Sequence, residues 1–356
     1  MNKINKLTNV NISSMSPLIS PRDLKCHLAA DDNVMSTVAC GRSDIQAILA
    51  GRDPRMLVVC GPCSIHDVEA AYDYAQRLQK LNQELRNRLC IVMRTYFEKP
   101  RTTLGWTGLI YDPYMDGSGA VVTGLQMARR LLLVVNSLGL PAATEFLDPL
   151  VPQFIADLIS WAAIGARTTE SQTHRQMASG LSMPVGFKNS TDGNLQIAIN
   201  ALQAVQGQHT FIGIDENGQS CLVNTMGNKF GHVILRGGSK DTNYDAVNII
   251  QALSALQKVN LNTKLMVDCS HANSRKNHNQ QIDVCRDVVQ QRVEGNVGIM
   301  GVMLESHIYP GSQSINTGSL KYGISVTDAC IGWEQTEKLL REMHKQLSCC
   351  EISKAA

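Results

Sequence analysis

LVVCGPC, Leu57 to Cys63, is an apolar run that halts on a glycine, a proline and a thiol. A buried strand that stops this way leaves a chemically capable residue at its C-terminal end. Reading outward, seven further runs behave alike: IVMR ending at Arg94, PAATE at Glu145, AAIGAR at Arg167, VGFK at Lys188, VILR at Arg236, LMVDCSH at His271 and IMGVMLE at Glu305. Eight apolar runs, each ending in a residue suited to a metal or a phosphate, have the register of a (β/α)8 TIM barrel, whose strand ends open into one mouth. The runs are apolar throughout rather than alternating, as strands buried on both faces are.

Between the runs lie helical patterns: VEAAYDYAQRLQKLNQEL (68–85), GLQMARRLLLVVNSLG (124–139), VPQFIADLISWA (151–162), YDAVNIIQALSALQKV (244–259) and QIDVCRDVVQQRV (281–293). Strands alternating with helices argue for parallel strands joined by crossovers. HTFIGI (209–214) and SCLVNT (220–225) break the pattern and read as an inserted β-hairpin, residues 209–225, turning at Asn217-Gly218. Either a binding site outside the catalytic centre or stacking on a second subunit would explain it. Residues 1–55, with Pro17, Pro21 and one helical stretch near Ser36–Ala50, form an N-terminal extension; 56–345 form the barrel, and 346–356 a C-terminal tail.

Composition excludes several function classes. A net charge of +2 with no block of like charges leaves neither a nucleic-acid stripe nor a polybasic membrane patch. No run reaches the length of a membrane span, and the N-terminus lacks the apolar stretch of a signal peptide, so we expect a cytoplasmic protein that binds neither nucleic acid nor membrane. Eleven cysteines at no scaffold spacing fit reduced thiols. The glycosylation-type triplets at Asn11 and Asn189 are then coincidental, and Gly117, Gly119 and Gly124 lack the spacing of a dinucleotide fingerprint.

Two constellations carry chemistry. Cys63, His271 and Glu305 stand at three strand ends, joined by Asp328 in SVTDACIGW. A thiolate, an imidazole and two carboxylates suit one divalent ion such as Mn, Fe, Co or Zn rather than Mg or Ca. Cys60-Gly-Pro-Cys63 also has the spacing of a redox dithiol, but that motif opens a helix in a much smaller domain, so Cys60 is read as core. The second constellation is cationic: Arg94, Lys99, Arg101, Arg167, Lys188 and Arg236 lie at or just past strand ends, enough to hold more than one phosphate or carboxylate. In Glu98-Lys99-Pro100-Arg101-Thr102-Thr103 the proline restricts the backbone between two cations.

GPCSIHD (61–67), RTYFEKPRTT (94–103), SWAAIGARTTESQTHR (160–175), PVGFKN (184–189), HVILRGG (232–238), VDCSHANS (267–274), GVMLESH (301–307) and SVTDACIGWE (325–334) resemble the 3-deoxy-D-arabino-heptulosonate 7-phosphate (DAHP) synthases of the feedback-regulated type, from about residue 10 to 345. The resemblance implies a metal-dependent condensation of phosphoenolpyruvate with erythrose 4-phosphate, the entry to the shikimate pathway. It implies Cys63, His271, Glu305 and Asp328 as metal ligands, with Lys99, Cys63 and His271 central to catalysis. Phosphoenolpyruvate would lie on Arg94, Lys99, Arg167, Lys188 and Arg236, near Glu145, Gly165 and Ala166, and the tetrose phosphate on Lys99, Pro100, Arg101 and Thr102. A Lys99 ammonium whose pKa neighbouring cations lower could deliver a proton.

The resemblance further implies an aromatic amino acid effector beside the hairpin, on Gln153, Leu181, Ser182, Phe211, Gly213 and Val223, with Asn9 from a neighbouring subunit of a homo-oligomer, dimer or tetramer. Glycine at 213, where phenylalanine-sensitive members tend to carry serine, points to tyrosine. Thr107, Tyr111 and Ser190 depart from the family pattern beside substrate loops. Two other readings compete: a 3-deoxy-octulosonate 8-phosphate synthase, whose chains are shorter and lack the Lys-Pro-Arg-Thr run, and a metal- and phosphate-binding sensor without catalysis.

Overall fold

The computed structural model describes residues 7–315 and 319–352. The first six residues of the expected extension and the last four of the expected tail lie outside them. All eight apolar runs form strands of one closed parallel barrel. The strands are β1 (Met56–Gly61), β2 (Leu89–Arg94), β3 (Ala142–Glu145), β4 (Trp161–Ile164), β5 (Val185–Lys188), β8 (Gly231–Leu235), β9 (Leu265–Asp268) and β10 (Ile299–Glu305). The barrel closes where β10 returns to β1, with Gly61 level with Glu305. That register puts the Cys63 loop beside the Glu305 carboxylate.

The outer ring contains α3 (Val68–Leu85), α4 (Val121–Ser137), α5 (Pro152–Ile155), α6 (Gln172–Ser179), α7 (Leu195–Val205), α8 (Ala246–Lys258), α9 (Gln280–Val293) and α10 (Trp333–Ile352). In α3 the Asp67 side chain accepts from the Glu69 and Ala70 N–H groups, and Ala71, Tyr74, Ala75, Leu78, Leu81 and Leu85 form the buried stripe. The helix expected over 151–162 is one turn, α5, followed by a 3-10 turn at Ala156–Leu158. Trp161 and Ala162 instead begin β4, paired with Ala143 and Thr144. A short apolar run reads the same as buried helix or buried strand, and here the barrel decides. Residues 346–352 of the expected tail continue α10.

The extension contains two helices where one was expected: α1 (Pro21–His27) and α2 (Asp32–Leu49). Ile45, Ile48 and Leu49 of α2 join the barrel-interior cluster of Leu57, Val59, Val92, Trp161, Ile234 and Met266. They close the end opposite the strand C-termini, and three fully buried aliphatic side chains stabilise this by roughly 1.5–3 kcal/mol each. The hairpin pairs β6 (Thr210–Ile214) with β7 (Ser220–Asn224), placing Phe211 opposite Val223. Its turn is not the expected two-residue Asn-Gly turn. Gly218 N donates to Asp215 O (3.0 Å), and in this turn only Gly218 takes a positive φ, 77°, so Asp215–Gly218 is a longer turn with glycine in the left-handed position. Arg22 N of α1 donates to Glu216 O at its tip (2.8 Å).

None of the described helices is long and apolar enough to cross a membrane. Ten of the eleven cysteines, Cys26 to Cys349, are free thiols.

Candidate active site

The strand ends converge on a cavity of about 300 Å³. Its lining includes Arg94, Lys99, Pro100, Arg101, Thr102, Glu145, Gly165, Ala166, Arg167, Lys188 and Arg236, with His271 and Asp328. The structure thus brings together every residue that the sequence assigns to substrate.

The β2–α4 loop carries Lys99 and Arg101. It is held by Lys99 N donating to Thr107 O (3.0 Å) and by Arg101 Nε donating to Trp106 O (2.7 Å). Gly108 allows this fold: its φ is 111°, and a Cβ there would lie 2.2 Å from Phe97 O. Glu98, just before Lys99, is buried and accepts from the Leu147 and Asp148 N–H groups. Burial pushes its carboxyl up to about 8. Tyr111, one of the departures from the family pattern, donates to Asp148 Oδ2 (2.9 Å) across the same junction. Ser190, another, hydrogen-bonds to Asp192 within the β5–α7 loop.

Beside the cavity, ligand atoms of Cys63, Glu305 and Asp328 lie within 4.8 Å of one another. His271 stands at the edge of this group, Nε2 3.8 Å from Glu305 Oε1. Its Nδ1 faces Asp268 Oδ2 at 2.9 Å and Ser270 Oγ at 2.6 Å, which leaves Nε2 as the atom turned toward the cluster. One thiol, one imidazole and two carboxylates fit a divalent transition ion. Lys99 Nζ donates to Cys63 Sγ (2.9 Å) and Asp328 Oδ2 (3.1 Å), bringing a positive charge to the same donors.

The electrostatics correct one expectation. Burial lowers the Lys99 ammonium's pKa, but Cys63, Asp328 and Glu305 outweigh it and raise it above the ordinary lysine value. The groups nearest its nitrogen are the Cys63 thiol and the Asp328 carboxylate, not the cations that the sequence suggested. Burial, then Glu305, pushes the Cys63 thiol up to about 11. Burial also pushes the Asp328 carboxyl up, yet Lys99 and His271 overcome it and hold it low.

Three supporting residues escaped the sequence reading. Asp268 is fully buried and accepts from Lys188 Nζ (2.9 Å) as well as facing His271; its place three residues before His271 was the available signal. Tyr96 lies under Arg94, whose guanidinium carbon is 3.5 Å from the ring centroid. Arg94 in turn donates to Pro62 O, Cys63 O and Glu305 Oε1, tying the β1 loop to β10. Glu98 is the third, and no periodicity marks it as buried.

The sites assigned to an effector sit apart, around the hairpin. Phe211, Gly213 and Val223 share one face, a Cβ at Gly213 lying 2.7 Å from Val223 Cγ2. The hairpin base is tied to the α6–β5 turn, which carries Leu181 and Ser182: Thr225 bonds Ser179 (2.7 Å), and Asn228 Nδ2 donates to Leu181 O (3.0 Å). Gln153 lies on α5, against which α1 packs. Asn9 is exposed, with φ 60°.

A family model described as the DAHP synthetase I family matches residues 31–341. The Tyr-sensitive phospho-2-dehydro-3-deoxyheptonate aldolase of Escherichia coli (strain K12) is 54% identical over 344 residues, 96% of each chain. The Phe-sensitive one of the same organism is 53% identical over 336 residues, 94% of this chain and 96% of the relative. The structure of phospho-2-dehydro-3-deoxyheptonate aldolase from Francisella tularensis SCHU S4 superposes with a TM-score of 0.93 at 44% identity, covering 95% of this chain and 99% of that one. The two isozymes match almost equally, so overall similarity does not separate their effectors.

Proposed function

The chain belongs to the DAHP synthetase I family, and we propose that its barrel mouth condenses phosphoenolpyruvate, erythrose 4-phosphate and water to DAHP and phosphate, the first step of the shikimate pathway. The observation that carries this is the placement of six cations around one cavity against a Cys63, Glu305 and Asp328 cluster edged by His271. Cys63, His271, Glu305 and Asp328 would hold a divalent ion, whose chemistry there is Lewis-acid polarisation of the aldehyde oxygen.

Arg94, Arg167, Lys188 and Arg236 bind phosphoenolpyruvate, with Glu145, Gly165 and Ala166 shaping its pocket. Pro100, Arg101 and Thr102 bind the tetrose phosphate, and Lys99 reaches both substrates. The phosphoenolpyruvate methylene carbon attacks the aldehyde carbon, forming the new C–C bond, while the Lys99 ammonium meets the negative charge that develops on the aldehyde oxygen. Water adds at the electron-poor carbon that bears the phosphate. Phosphate then leaves with the electrons of its C–O bond, its charge met by the surrounding arginines and lysines, and a ketone remains. One proton of the water goes to the former aldehyde oxygen and the other leaves with the phosphate, so Lys99 keeps its charge throughout.

Tyrosine is the feedback inhibitor in this reading, bound on Gln153, Leu181, Ser182, Phe211, Gly213 and Val223, with Asn9 from a neighbouring subunit of a cytoplasmic dimer or tetramer. A glycine at 213 leaves room for a phenolic oxygen. Residues 1–55 act in assembly and regulation, and 56–345 carry catalysis. The test is turnover of both substrates before and after chelation: activity should vanish, return with Mn or Co, and be absent with its metal in Cys63→Ala. Full activity in protein shown to be metal-free by elemental analysis refutes the assignment.

A further inference from the structure

Beyond the substrate cavity, the loops after β8 and β9 enclose a second basin of about 530 Å³. The two adjoin, with Arg167, Thr191 and Arg236 lining both. The basin adds Lys240, Arg275 and Lys276 to that wall, with Asp241 its one acidic residue. Among the described residues none of these three cations makes an ion pair.

Their loop is also held in a costly shape. Arg275 and Lys276 take left-handed backbone, φ 51° and 61°, although neither is glycine. Arg275 N donates to Ala272 O and Lys276 N to His271 O, folding the segment back so that consecutive cations reach one basin. Unpaired like charges gathered around one space repel each other, and a multivalent anion in that space relieves the repulsion.

The proposed reaction makes such an anion at the shared wall. Phosphate is released where Arg167 and Arg236 hold it, and the basin opens from those two side chains. Resting on the function proposed above, we infer that the basin is an exit station for inorganic phosphate, a site separate from both substrate positions. Incoming phosphorylated substrates carry the same chemistry, so entry and exit must be told apart.

The variant Lys240→Gln/Lys276→Gln removes two exposed cations. Lys80→Gln/Lys345→Gln, on α3 and α10, removes the same charge elsewhere. With both substrates saturating, inhibition by added inorganic phosphate should weaken by about tenfold in the first variant, or about 1.4 kcal/mol. Its kcat and both KM values should stay within about twofold of wild type, and the control variant should match wild type throughout. Raised KM for a phosphorylated substrate with unchanged phosphate inhibition would mean an entry site and overturn the exit assignment, and no change in either overturns the site altogether. Equilibrium dialysis of inorganic phosphate into phosphoenolpyruvate-loaded protein reads the site without turnover. Wild type should retain one more phosphate than the Lys240→Gln/Lys276→Gln variant, and equal uptake refutes the inference. A wild-type protein that binds this extra phosphate yet turns nothing over refutes the proposed reaction instead.

Discussion

Asp268→Asn tests whether one buried carboxylate holds both halves of the site. Asp268 is fully buried and Lys188 is 3% exposed; Oδ2 of Asp268 accepts from Lys188 Nζ and faces His271 Nδ1, both at 2.9 Å, while Oδ1 accepts from Ser270 N and Oγ. An amide cannot serve both sides. If its NH₂ faces Lys188 and His271, donors meet donors, and if flipped it meets Ser270 N–H instead. In either case the Lys188 ammonium stays buried without its counter-charge. Breaking a buried pair this way costs roughly 3–5 kcal/mol, a large part of the ~5–15 kcal/mol that holds a typical domain folded. Losing the group that orients His271 should also weaken metal binding by about 10–100-fold. Urea unfolding and metal titration read the two effects separately. Lys188→Met/Asp268→Asn should recover most of the stability, because no buried charge is then orphaned, but not the metal affinity, because His271 still lacks its carboxylate partner. A single variant that loses under about 1 kcal/mol and binds metal normally would refute the reasoning.

Further outcomes follow from other residues. Lys99→Ala should abolish most of kcat, whereas Arg101→Ala should mainly raise the KM for the tetrose phosphate; an effect of Arg101→Ala on phosphoenolpyruvate alone would redraw the site. His232 lies inside the barrel, its Nε2 3.2 Å from Trp161 Nε1, and burial pushes it down to about 4 from 6.5. Because the unfolded chain takes up this proton first, stability should fall as pH drops below 6.5 and level off near 4, by on the order of 3 kcal/mol. His232→Gln should remove that part of the pH dependence in denaturant melts, and identical slopes would exclude His232 as its source. Gly213→Ser must displace Val223 Cγ2, 2.7 Å from the new Cβ, and should shift inhibition from tyrosine toward phenylalanine; wild-type protein inhibited by phenylalanine but not tyrosine would reverse the effector assignment while leaving catalysis untouched.

The barrel and its mouth were legible in the chain because a parallel barrel turns linear order into geometry. Each strand is buried on both faces, so it reads as an unbroken apolar run, and the residue at its end must face the common opening. Cys63, Arg94, Lys188 and Glu305 could therefore be placed from position alone. The hairpin was legible too, as two short strand-like runs around the turn-forming residues 215–219, although its turn is longer than Asn217-Gly218 alone. Contacts between distant segments were decided by the tertiary structure. That α2 closes the barrel with Ile45, Ile48 and Leu49 depends on where the extension packs. That Trp161 begins a strand depends on its pairing with Ala143. The charge state of Lys99 depends on which groups are nearest in space: along the chain its neighbours include Arg101, but in the fold Cys63 and Asp328 stand within 3.1 Å of its nitrogen. Local pattern follows from a residue's own chemistry, whereas electrostatic environment is a sum over distances that only folding sets.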